Sequence, residues 1–580
     1  MLPKWSYTLI FALTPFVVLP AVAEAATPIV ANPICPDNTA FNNPDNGADI
    51  VVPAGFKVSV FAKNLNAPTG IAFLGNSRGF EVYVLESGHG LPSVCNDQSN
   101  AIVGGDFSPT NPFTPDIRVF DQNGTLLRTL AKPTAPGVGL QPEGPAIDIA
   151  FERGVHGGRL FATDSNQATH TSGANNNSSR IVTVDPTTGT VTPFITGLPT
   201  GDHPTEQLAF DNRWIYWSQG STTNSGVVGR DNGGGTGQPD IPCQDIVLSD
   251  NVFDSGGGVK TSGYSTFGTQ RPGAPVKAFE GALHPGVCDG AILRARLNAA
   301  HPEDTIEPFS WGYRNPYAIR FAPNDHPLSG GLLVGEDGPD ERGARPSNGA
   351  PDVLSVARQN DDATPDYHGW PDRFGFLPSS QAVFNPIGGP SDDLCQSPPN
   401  LPFPACVLTV LQEDVPIADV LKFPPQPITS PLAIEGADSS FTGLDFAPKS
   451  FVADPVQDGA ALYALEGDFG FSPPNATSPA PEIGHEVKLI NFDAKGDKLL
   501  ALKIQNFARN NTGDQAFISP DHPSAFNRPT NIRFGPDGCA YVVDYGAVRD
   551  AGPDTHVVGA GNGPLVQIPG TGVVFKICRQ

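Results

Sequence analysis

Four short stretches carry the side chains best suited to chemistry: GDHPTEQLAF (201–210), YRNPYAIRF (313–321), SSFTGLDF (439–446) and FNRPTNIRF (526–534). Each sets polar residues just ahead of the same apolar pattern. These are Asp202 and His203, then Arg314 and Asn315, then Ser439 and Ser440, then Asn527 and Arg528. A histidine beside an aspartate is a base with an orienting carboxylate. Arginine and asparagine hold negative charge that develops on an oxygen. Taken singly, each has an ordinary explanation. A loop histidine is usually solvated, an arginine can pair with any of 60 acidic residues, and Asn-Pro or Asp-His-Pro simply makes a turn. Their shared register favours convergence on one cavity. A second dense feature is GEDGPDERG (335–343), in which Glu336, Asp337, Asp340 and Glu341 surround a Gly-Pro turn. Carbonyls and carboxylates in a tight loop suit a hard cation such as Ca²⁺, though a solvated acidic turn looks the same in sequence.

The elements that position these residues repeat along the chain. An aliphatic residue, one residue, then Phe recurs in PTGIAF ending at Phe73, GPAIDIAF at Phe151, TEQLAF at Phe210, NPYAIRF at Phe321, FTGLDF at Phe446 and PTNIRF at Phe534. That spacing is the period of a strand with one buried face. Each copy is followed by a second apolar strand, most of which end in an acid and a glycine: VYVLESG, LFATDS, WIYWSQG, LLVGEDG, LYALEGD and AYVVDYG. Six strand pairs without long helical periodicity predict an all-β fold, a six-bladed β-propeller. A β-sandwich or a pair of barrels is the competing architecture. Uneven spacing between copies places insertions at about 219–275 and 371–431 within a single domain spanning 26–580. In a propeller, loops gather at one mouth of the central channel, so residues just before the repeated pattern point there.

Bulk composition narrows the functional classes. Residues 1–25, MLPKWSYTLIFALTPFVVLPAVAEA, have the early cation, apolar run and small-x-small end of a secretory signal peptide. No later stretch is apolar over the roughly 18 residues a membrane span requires. The eight cysteines, none in a C-x-x-C pair, suit disulfides in an oxidising compartment, and neighbour pairing gives Cys243–Cys288, Cys395–Cys406 and Cys539–Cys578 among many possibilities. We therefore expect a periplasmic or secreted protein. A net charge of −25 makes nucleic acid and anionic membranes poor partners. Any anionic ligand needs cations or a metal concentrated locally.

GYRNPYAIRF, GEDGPDERG and HGWP (368–371) together resemble the soluble quinoprotein glucose dehydrogenase and sorbosone dehydrogenase family. DHPTEQLAF and FNRPTNIRF resemble that family's third-blade and last-blade motifs, and the likeness runs from about Pro68 to Tyr545. The resemblance implies a six-bladed propeller that binds pyrroloquinoline quinone (PQQ) and Ca²⁺ and oxidises a sugar by hydride transfer to the quinone. It implies His203 as the base, Asp202 as its orienting carboxylate and Arg314 as the cation facing the quinone oxygen. Asn315, Arg528, Thr530 and Ser440 would line the cofactor, and the carbonyls of Gly338 and Pro339 would bind Ca²⁺. The chain departs from the family where Glu466 and Asp468 stand in place of a fifth-blade lysine, Thr530 in place of an arginine and Glu143 in place of a glutamine. Without a C-x-x-C-H haem motif, electrons must leave to a separate acceptor. Two other readings compete: a six-bladed metal-dependent lactonase or hydrolase using Glu143 and Glu466, and a non-catalytic propeller binding glycan or protein. Hydride chemistry requires His203 and Arg314 at one place, whereas a binding rim requires neither.

Overall fold

The computed structural model describes residues 29–31, 39–88, 114–374 and 419–580, less 136, 143, 167–176, 230–237, 256–258, 340–344, 346–349, 359–363, 428–430, 437–438, 468–482, 496–498, 514, 517–518, 520 and 551–564. The signal-peptide reading, Cys395–Cys406, Glu143, Asp340, Glu341 and Asp468 all lie outside the described residues.

The chain is a six-bladed β-propeller, and among the described residues its helices are single 3₁₀ turns. Each repeated pattern is the innermost strand of a blade: Pro68–Asn76, Ile149–Phe151, Thr205–Phe210, Asn315–Phe321, Phe441–Phe446 and Pro529–Phe534, blades 1 to 6. The second apolar strand pairs antiparallel with it in every blade. Further strands complete each sheet, to four strands in blades 1, 2, 4 and 6 and five in blades 3 and 5. These later strands lack a repeated signature, which is why only pairs are visible in sequence.

The second strands have no exposed face. Val82 to Leu85, Leu332 to Val334, Ala461 to Ala464 and Ala540 to Val543 are wholly inaccessible. Each blade is flanked by a blade on both sides, so its middle strands lose water from both faces and read as continuous apolar runs. The ring is closed by the N-terminal strand Phe56–Leu65, which pairs antiparallel with Gly572–Arg579 as the outer strand of blade 6. This holds the two ends of the chain in one sheet and locks the ring. Cys539–Cys578 ties the second strand of blade 6 to the third.

The first insertion lies between the second and third strands of blade 3, from Gln219 to Ala291, and Cys243–Cys288 pins it. The second separates Val353–Ala357 from Ala433–Ile434 in blade 4, and its Asp366–Tyr367 pairs parallel with the outer strand of blade 3. Arg345, fully buried, packs its guanidinium over Phe253 and Phe374 and bonds Ser225 O and Pro371 O, joining the two insertions.

Candidate active site

Five of the six inner strands, all but that of blade 2, share a backbone irregularity near their starts. One extra residue interrupts the pairing between Pro68 and Gly70, Thr205 and Leu208, Asn315 and Ala318, Phe441 and Gly443, and Pro529 and Asn531. A β-bulge at a fixed place re-aims one side chain per blade and ends regular pairing next to a site. In three blades the bulged residue is a threonine that clasps a neighbouring blade: Thr69 Oγ1 to Ala146 O at 2.9 Å, Thr442 Oγ1 to Pro529 O at 2.9 Å and Thr530 Oγ1 to Pro68 O at 3.1 Å. Glu206 and Tyr317 occupy the bulges of blades 3 and 4.

Deeper in the channel a polar network crosses the axis. Gln207 donates to Thr442 O at 2.8 Å and accepts from Arg533 at 2.9 Å, while Asn531 donates to Thr69 O at 2.9 Å and to Asp148 at 3.4 Å. These bonds floor the mouth with satisfied polar groups.

The acids that end the second strands anchor the loops entering the inner strands. Glu86 accepts from Asn66 N, Asp164 from Gln141 N, Glu336 from Arg314 N, and Asp544 from Asn527 N and Arg528 N, at 2.7–3.1 Å. The acid-glycine ending is legible in the sequence, but its job as a loop anchor is not. Asp352 does the same for the fifth blade, accepting from Gly338 N, Ser439 Oγ and Ser440 N. Burial pushes these carboxyls upward against the donors that bond them: Glu336 to about 8, and Asp352 and Asp544 each to about 6.

Asp202, His203 and Arg314 come together. Asp202 Oδ2 lies 3.4 Å from Arg314 Nη2 and 3.6 Å from His203 Nε2. Backbone pairing sets this geometry: Asp202 N donates to Thr222 O, His203 N to Ser221 O, and Ser221 N to Arg314 O at 2.8 Å, joining blades 3 and 4. Gly220 permits the close approach, since a Cβ there would stand 2.2 Å from the His203 Cβ. Arg314 is buried, with Nη1 donating to Gly338 O at 2.8 Å. His203 is the more open member, its side chain 22% exposed against 4% for Arg314.

Asn315 is buried, donates to Asp337 Oδ2 at 3.0 Å, and has no partner for Oδ1 among the described residues. Arg528, buried on blade 6, donates to Gly467 O at 3.0 Å, and its charge opposes the burial that holds Glu466 at about 7. Ser440 has a left-handed backbone, φ +54°, and bonds through its N–H to Asp352. The Thr530 hydroxyl is spent on the clasp to blade 1. Gly338 O already accepts the Arg314 guanidinium, and Pro339 is buried beside it. Sequence reasoning passed over Glu206, three residues after His203, whose Oε1 lies 3.7 Å from His203 Nδ1. Its signal was an acid at a strand position where other repeats carry threonine.

Neither a family model nor a curated protein matches the chain. Among solved structures it is similar to the holo form of the PQQ domain of pyranose dehydrogenase from Coprinopsis cinerea, at 14% identity over 91% of this chain and 97% of that one, with a TM-score of 0.47. It is likewise similar to the calcium structure of a family AA12 carbohydrate-active enzyme from Trichoderma reesei, at 14% identity over 93% and 99%, with a TM-score of 0.47. A Synechocystis apocarotenoid oxygenase follows at 12% identity over 58% and 56%, with a TM-score of 0.23. Likenesses at these values carry no inference about the site, which is read from its own geometry.

Proposed function

We propose that the chain is an exported quinoprotein, a PQQ-dependent dehydrogenase that oxidises a sugar, either an aldose or a sorbosone-like sugar aldehyde. One observation carries the reading: a histidine and a buried arginine from different blades meet at the same carboxylate oxygen, Asp202 Oδ2, at the channel mouth. That grouping is what proton abstraction next to developing negative charge requires, and a rim built only to bind has no need of it.

The residues fit an anionic, planar, oxygen-rich group. Arg314 and Arg528 are buried cations at the mouth. Asp202 pairs with Arg314, but the other nearby carboxyls, Glu206, Glu336 and Glu466, are held upward by burial toward their neutral forms and cancel less of the cations' charge than ionised acids would. Bound PQQ would supply the two-electron acceptor that no side chain provides. His203 takes the proton of the substrate hydroxyl. Asp202 holds the imidazole and offsets its charge. Arg314 presents a fixed cation, and Asn315 and Arg528 hold the cofactor's oxygens. Calcium fits this arrangement less well, because Gly338 O is engaged by a guanidinium, and we derive no step through the ion. Two disulfides accord with export. Reduced cofactor would pass its electrons to a separate acceptor.

The test is reconstitution. Purified protein mixed with PQQ, with and without Ca²⁺, should reduce an artificial dye when given an aldose or sugar aldehyde, and His203→Ala should retain the cofactor but lose turnover. A broad sugar and alcohol panel giving no dye reduction would sink the reading.

A further inference from the structure

Glu206 stands where the fold has another solution. The bulged residue of blades 1, 5 and 6 is a threonine clasping a neighbouring blade. Blade 3 instead places a carboxyl there, 1% exposed, with no hydrogen-bond partner for Oε2 among the described residues. A buried carboxylate without donors is costly to maintain, so the acid needs either a proton or a partner. Its other oxygen lies 3.7 Å from His203 Nδ1. The charged and titratable groups around it are His203 and Asp202 on its own loop, and Arg314, Tyr317 and Asp337 on blade 4. Only Arg314 is a permanent cation, and it is shared with Asp202 and Gly338 O.

We propose that Glu206 is a ligand-binding residue, a carboxylic acid that keeps its proton and donates a hydrogen bond from the bulge of blade 3 to an oxygen of the anionic ligand held at the channel mouth. Burial drives this carboxyl well above its ordinary range, and Arg314 opposes that only in part. A neutral acid is a donor where an ionised one would repel the ligand. Occupancy of the mouth then weakens as alkaline pH removes the proton.

The proposal rests on the reading that the mouth holds an anionic quinone, and its test separates the two. Equilibrium binding of PQQ is measured from pH 6 to pH 9 for the wild type, Glu206→Gln, which donates at every pH, and Glu206→Ala, which donates at none. Glu336 and Glu466 titrate over this range in every variant, so the readout is a difference: wild type should lose about tenfold more affinity than Glu206→Gln, and Glu206→Ala should bind about tenfold more weakly than wild type at pH 6. Parallel pH dependence in wild type and Glu206→Gln would overturn the proposal, as would Glu206→Gln binding worse than wild type at pH 9. If wild type binds no PQQ, the cofactor reading fails by itself. The proton is then read from the infrared difference spectrum of wild type minus Glu206→Gln at neutral pH. A protonated carboxyl band supports the assignment, and carboxylate bands overturn it.

Discussion

Glu466 offers a clean quantitative test of the mouth's electrostatics. It ends the second strand of blade 5, its backbone N–H donates to Ser440 O at 2.9 Å, and burial holds its carboxyl at about 7 in place of 4.5, with Arg528 opposing the rise and Asp544 adding to it. A raised folded value means that the folded state binds the extra proton, so this group's stabilising contribution is complete below about 4.5 and is lost as pH rises through about 7. Applying the linkage relation between pH 5 and pH 8, the loss is about 2 to 3 kcal/mol. Glu336, Asp240, Asp352, Asp372 and Asp544 are also raised and titrate in the same direction, so the wild-type curve alone does not isolate Glu466. The difference between wild type and Glu466→Gln does. Urea unfolding of both proteins at pH 5, 6.5 and 8 should show wild type losing about 2 to 3 kcal/mol relative to the variant across that range. Curves that stay parallel within about 0.5 kcal/mol would refute the claim that burial outweighs Arg528 and raises this carboxyl.

Three further outcomes follow from the packing. Arg314→Met leaves Gly338 O and Asp202 without their buried cation and should cost about 3–5 kcal/mol in denaturant unfolding, with Arg314→Lys recovering only part because an ammonium cannot span both partners. Gly220→Ala drives a methyl into the His203 Cβ and should destabilise by about 1–3 kcal/mol while lowering dye-linked turnover more than it raises KM. Replacing Cys539 and Cys578 together by serine should cost about 2–4 kcal/mol through the 39-residue loop they close, measured by unfolding under non-reducing conditions.

The sequence made the propeller legible because one physical constraint repeats. An innermost strand must pack between two neighbours at every blade, and Ile71, Ile149, Leu208, Ile319, Leu444 and Ile532 each stand two residues before the blade's Phe. The outer strands obey no such constraint, and the closing strand Phe56–Leu65 is joined to blade 6 across almost the whole chain, which no local pattern reveals. Cys243–Cys288 and Cys539–Cys578 were readable from proximity, since both close local loops. At the mouth, register brought Asp202, His203 and Arg314 to one level. It did not show that Thr530 serves as a clasp or that Gly338 O takes the Arg314 guanidinium, because those follow from a bulge and a side-chain reach rather than from position in the repeat. Glu206 escaped notice because a single acid in a strand carries no period, and its meaning appears only beside the threonines of the other blades.

The proposed site holds an anionic quinone at the channel mouth between Arg314 and Arg528. Titration of the metal-free protein with PQQ, followed by the change in cofactor absorbance or by calorimetry, reads that binding without relying on turnover. Saturable binding at one cofactor per chain is expected, weakened at least about tenfold in Arg528→Met and in Arg314→Lys, with both variants still folded. Absence of saturable binding to the wild type, or binding that both variants retain unchanged, would contradict it.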